Sequence, residues 1–122
     1  MTQITLTNPA NGKTHTMEAL IDTGAVRMAL PEDVVHLLDL PTFDTVVVRL
    51  ATDETRTIDV AGPLFVELVG RKMATDCFVL PAASEALVGQ VVLESLDLIA
   101  DAPRQKVYLR HPQSPYPVLN LK

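Results

Sequence analysis

Ala19-Leu20-Ile21-Asp22-Thr23-Gly24-Ala25 is the stretch on which the reading of this chain turns. Three apolar residues close a segment, Thr14 to Ile21, that suits a β-strand, and an acid follows at once. A carboxyl at an apolar strand end is costly unless it has partners, a shifted protonation or a chemical task. Thr23 can hydrogen-bond neighbouring backbone, and Gly24 permits a tight turn or the close approach of another segment. The triplet alone is a weak signal, arising by chance in roughly one chain in twenty of this length. It equally describes a plain β-turn in which the Asp accepts from backbone and the Gly takes a positive φ.

Working outward, most of the chain reads as short strands. Gln3 to Thr7 and Thr14 to Ile21 flank the turn formers Asn8-Pro9-Ala10-Asn11-Gly12. Phe43 to Ala51 is β-branched, and Thr55 to Ala61 alternates polar with apolar residues. Gly62-Pro63 is expected to break the chain there. Leu64, Val66 and Leu68 then share one strand face, Gly70-Arg71 forms a two-residue turn, and Met73 to Leu80 returns. A short helix beginning at Pro31 has Glu32 and Asp33 in its first turn and an apolar side of Val34, Val35, Leu37 and Leu38. A second starts near Gly89, with Val92, Leu93 and Leu96 at helical spacing. Leu98 to Ala100 and Lys106 to Leu109 are final strands, and the tail from His111 is extended. Glu18-Ala19-Leu20-Ile21 is echoed by Glu85-Ala86-Leu87-Val88, each running into a glycine turn, which suits a fold with two related halves. The pattern predicts an all-β fold, a small closed barrel with one or two short helices.

Composition bounds the rest. The 122 residues make one domain, 1–122, and the 48 % apolar content supplies one core. Aromatics are 4 %, so that core is aliphatic and base stacking is disfavoured. A net charge of −5 argues against nucleic acid and against an anionic membrane surface. Cys77 is the one cysteine, so no intrachain disulfide forms, and it reads as a small core residue. His15, His36 and His111 lack metal-ligand spacing and read as surface or turn residues; no metal and no cofactor is expected. Arg71-Lys72 reads as a turn rather than a basic patch. The opening residues carry no signal-peptide pattern and no apolar run approaches membrane-spanning length, so a soluble, cytoplasmic protein is expected.

The segment Leu20-Ile21-Asp22-Thr23-Gly24-Ala25 resembles the active-site motif of aspartic proteases. Ala86-Leu87-Val88-Gly89, with Leu93 beyond it, resembles the second signature of the retropepsin-like (clan AA) members. Leu30-Pro31-Glu32, Leu96 to Asp101 and Gln105-Lys106-Val107-Tyr108 resemble single-domain bacterial ones. The resemblance spans roughly residues 14 to 110. It implies a retropepsin-like barrel acting as a homodimer, because the chain holds one Asp-Thr-Gly where the chemistry uses two. It implies an aspartic endopeptidase acting on peptide or protein. Asp22, Thr23 and Gly24 would be the catalytic residues, with Ala25, Ala51, Thr52, Asp53, Val88 and Gly89 binding substrate. Two Asp22 carboxyls would share a proton, one activating water and the other polarising the scissile carbonyl. Thr23 would brace the paired loops. Ala25 has no hydroxyl to donate to the carboxylate, so the resemblance implies an optimum at about pH 5–6.

Two departures from the family pattern stand out. The hairpin tip Ala51-Thr52-Asp53-Glu54-Thr55, placed where the family has its substrate-covering flap, contains no glycine. The Asp and Arg that usually follow the two signatures in viral members are replaced together, by Val26 and Gln90. These keep open a second reading, a non-catalytic retropepsin-like domain for dimerisation or peptide binding. An unrelated barrel carrying a chance motif is a third.

Overall fold

A computed structural model describes residues 1–121. In chain order the elements are β1 (Thr2–Thr7), β2 (Thr14–Ile21), β3 (Ala29–Pro31), α1 (Glu32–Leu37), β4 (Thr42–Arg49), β5 (Thr55–Leu68), β6 (Arg71–Leu80), β7 (Ala86–Val88), α2 (Gln90–Ser95), β8 (Leu98–Asp101) and β9 (Lys106–Leu109). The main sheet runs β1-β2-β7-β3-β6-β5, and β1 pairs again with β5, closing a six-stranded barrel. Closure gives each of those strands a neighbour on both sides over part of its length. β4 extends from β5 as an outer hairpin arm, and β8 and β9 form a separate two-stranded sheet.

The core is aliphatic, as the composition requires. Ile4 and Leu6 of β1, Ala19 and Ile21 of β2, Leu64, Val66 and Leu68 of β5, and Val88 of β7 are buried and share one cluster with Leu30, Val92 and Leu96. Alternation along β5 follows the strand period: Leu64, Val66 and Leu68 are buried, whereas Glu67 between them is exposed. α1 buries Val34 and Val35 but leaves Leu37 exposed, so its apolar side is narrower than the spacing suggests. Pro31 is the last residue of β3 and precedes α1 with φ −65°.

Two turns differ from the sequence reading. Gly62-Pro63 does not end a strand. β5 continues through it, with a register shift between Ala61 and Leu64 and the Gly62 N–H donating to Pro41 O at 3.0 Å. A bulge absorbs the proline, which has no N–H for the ladder. The β5–β6 turn is Val69-Gly70, not Gly70-Arg71. Both turn residues have positive φ, 52° and 75°, and Leu68 pairs directly with Arg71. This is the primed geometry that suits strand twist, although a β-branched residue is a poor occupant of it. Arg71 is therefore the first strand residue, and it is buried.

The echoed tetrapeptides lie side by side. β2 and β7 pair in parallel with Ala19 opposite Ala86, Leu20 opposite Leu87 and Ile21 opposite Val88. Both strands therefore deliver their following residues, Asp22 and Gly89, to the same end of the barrel.

Candidate active site

Asp22 leaves β2 with its backbone still in the ladder, its N–H donating to Val88 O at 3.0 Å. The chain then turns back on its own carboxylate. Gly24 N–H donates to Asp22 Oδ1 at 3.0 Å, and Ala25 N–H donates to Asp22 O at 3.1 Å. This is the side-chain-to-backbone turn that the plain reading of the triplet describes. Gly24, however, does not take the positive φ which that reading gives it. Asp22 is partly buried, while Thr23 and Gly24 are exposed.

The second signature is the brace of this loop. A Cβ on Gly89 would lie 2.7 Å from the carbonyl oxygens of both Ala25 and Arg27, so only glycine admits the two segments at this distance. α2 begins at the next residue, and its first amides point into the loop. Gln90 N–H donates to Ala25 O at 2.8 Å and Val91 N–H to Val26 O at 2.9 Å. The Gln90 side chain adds a bond from Nε2 to Thr23 O at 3.2 Å. Val26 is exposed, so the replaced pair leaves no charge buried.

Asp22, Thr23, Gly24, Ala25 and Val88 are thus joined by hydrogen bonds into one unit, with Gly89 packed beneath it. One groove reaches it at Thr23, and a second lies alongside at Val26. The first, of about 340 Å³, is flanked by Thr23, Gln90, Glu94, Ile99 and Arg110; the second, about 360 Å³, by Val26, Arg27, Met73, Asp76 and Val91. Arg27 bonds both oxygens of Asp76 through Nη1, at 3.0 and 3.2 Å, and lies over the Phe78 ring.

Ala51, Thr52 and Asp53 are not joined to this unit by any hydrogen bond among the described residues. They form the exposed tip of the β4–β5 arm, closed on itself by Leu50 N–H to Glu54 O at 2.8 Å and Asp53 N–H to Leu50 O at 2.9 Å. Asp53 takes the positive φ, 72°, that a glycine would supply.

A second cluster escaped the sequence reading. Arg71 donates to Leu96 O at 2.8 Å, Ser114 O at 3.0 Å and Tyr116 O at 3.2 Å. It also stands 3.9 Å from Asp97 Oδ2. Asp97 meets Arg110 Nε at 3.1 Å, His111 Nδ1 at 2.7 Å and the Val118 N–H at 3.0 Å. The His111 hydrogen bond chiefly holds the Asp97 carboxyl below its ordinary value, with Val118 and Arg110 adding to it against burial. His111 is the exposed residue expected, and its ring also ties the start of the tail to Asp97. The available signal was an acid, Asp97, in an otherwise apolar run.

Cys77 is fully buried, and burial, with the nearby Asp76 charge, pushes its thiol up to about 12. It stays protonated and is no nucleophile. Among the described residues no group of three or more His, Cys, Asp or Glu could hold a metal ion, and no helix is long and apolar enough to cross a membrane. No family model and no curated protein matches the chain.

Proposed function

We propose that the chain is a retropepsin-like aspartic endopeptidase that works as a homodimer, with Asp22 of two copies meeting at a two-fold axis. One observation carries the reading. The Asp22 carboxylate sits at the open end of a strand on a loop whose backbone is pinned by β7, Gly89 and α2, while among the described residues its side chain has a single backbone donor, Gly24. A rigid mount with a lightly engaged carboxylate suits a general base. In the dimer one Asp22 takes a proton from water, and the other, protonated, donates to the carbonyl oxygen of the scissile bond. Thr23, exposed beside it, braces one loop against the other. The substrate lies extended over Ala25, while Val88 and Gly89, both buried, support that floor from beneath rather than touching substrate. The tip Ala51-Thr52-Asp53 covers it after the arm moves inward.

The self-closed, glycine-free tip favours the second reading, a peptide-binding or dimerisation domain without catalysis. Two measurements decide. Wild-type protein and Asp22→Asn are incubated with fluorogenic peptides between pH 4 and pH 7, and sedimentation is followed with and without peptide. The peptidase reading expects cleavage with a bell-shaped pH profile in wild type only, and a dimer in both. Binding or dimerisation without cleavage selects the second reading, and a strict monomer that neither binds nor cleaves peptide overturns both.

A further inference from the structure

We infer that Gln105 is a positioning residue for Asp22, its side-chain amide standing in for a missing strand partner at the end of β2. The peptidase reading is needed only for the activity arm of the test.

Residues of a strand point their peptide groups alternately to either side. On β2, Asp22 directs its N–H to β7, where Val88 O accepts it. The peptide groups of Ile21 therefore face the other side, toward β1. The register with β1 ends at Thr2 opposite Ala19, two residues short of Ile21. Buried backbone groups left there without partners would be costly. Gln105 supplies both. Its Oε1 accepts the Ile21 N–H at 2.7 Å, and its Nε2 donates to Ile21 O at 3.1 Å.

The amide is itself held. Nε2 also donates to Ala102 O at 2.8 Å, and the Gln105 N–H donates to the same oxygen at 3.1 Å. Gln105 sits with φ 54° in the turn between β8 and β9, so the two-stranded sheet aims this one side chain at β2. Both amide donors and the acceptor are engaged, and only one orientation of the amide satisfies all three contacts. The peptide unit entering Asp22 is thereby clamped on one side by Gln105 and on the other by Val88. No other residue type offers a donor and an acceptor at this reach in one neutral group: Glu lacks the donor at neutral pH, and Asn is a methylene short.

The test compares wild type, Gln105→Met and Gln105→Glu at neutral pH by amide hydrogen exchange and NMR, with peptidase kinetics alongside. Met keeps the bulk and loses every bond; Glu keeps the acceptor for Ile21 N–H and loses the donors. In Gln105→Met, Ile21 N–H should exchange on the order of tenfold faster or more, with Val66 N–H unchanged and the Thr23 and Gly24 resonances shifted. In Gln105→Glu, Ile21 N–H should stay protected, while Thr23 and Gly24 still shift. For both variants kcat should fall about ten- to a hundredfold with KM nearly constant, the mark of lost positioning rather than lost binding. Unchanged Ile21 exchange in Gln105→Met overturns the inference. So does an equal rise at Ile21 and Val66, which would make Gln105 a general stabiliser, and so does a KM change without a kcat change. If wild type cleaves no peptide, the peptidase reading fails while the exchange and resonance pattern still decides the role of Gln105.

Discussion

Asp22 stands at the partly exposed end of β2 with one backbone N–H on its side chain, whereas Asp97, between α2 and β8, is 4 % exposed and meets two cationic side chains, a histidine and a backbone amide. Both acids follow an apolar residue in an apolar run. At Asp97 the partners grip the carboxylate, which fastens Arg110, His111 and Val118 of the tail to the α2–β8 turn. At Asp22 the partners grip mainly the backbone, and the carboxylate accepts from the Gly24 N–H. A buried charge surrounded by donors is structural; a carboxylate with few donors on a braced main chain is available for chemistry.

Asp22→Asn gives the sharpest contrast. It should lower peptidase turnover on the order of 10³–10⁴-fold while leaving thermal unfolding within about 2 °C of wild type. Asn keeps the shape and still accepts from Gly24, but it is no base. A large loss of stability here would make Asp22 a second Asp97.

Arg71→Met should do the reverse. It removes three bonds to carbonyl oxygens and the guanidinium beside buried Asp97, and should cost about 3 kcal/mol in chemical denaturation. Turnover per folded molecule should remain near wild type. A collapse of turnover at unchanged stability would show that the tail cluster serves the site.

The smallest effect is one of pH. The native Asp97 carboxyl titrates below its ordinary value of 3.8, so its contribution to stability is present above that value. It is lost as pH falls from there through the depressed native value. Denaturation of wild type and Asp97→Asn should therefore differ most near neutrality and converge in acid. A difference that is flat down to pH 2 would mean that the grip on Asp97 does not depend on its charge.

The sequence made much of this visible, and particular residues explain the limits. β2 was legible from end to end because Thr14 to Ile21 is bounded by turn formers and by Asp22. The echo of Glu18–Ile21 at Glu85–Val88 suggested two related halves; that the two strands lie adjacent in parallel register was not legible in it. Gly89 was picked out by resemblance, and the clash that any Cβ would meet there explains it. The β5–β6 turn was misplaced by one residue because Val69 is an improbable occupant of positive φ. Burial of the Arg71 side chain against Leu96, Ser114 and Tyr116 accompanies that register, and none of these contacts is local. Gln105 and His111 act through partners far away in sequence, so neither periodicity nor local composition could mark them.

The parallel pairing of β2 with β7 also has a consequence during synthesis. Chains grow from the N-terminus, and β2 can find β1 early through the short turn at Asn8 to Lys13. Its other edge, the one that fixes the Asp22 N–H, waits until Ala86 to Val88 has left the ribosome. Closure of β1 on β5 likewise waits for Phe65 to Glu67. Until β7 emerges the nascent chain therefore exposes an apolar hairpin with one unsatisfied edge, a template for pairing with a neighbouring nascent chain and a target for chaperones that bind extended apolar segments. The strand that carries the candidate catalytic acid is made well before the strand that completes it.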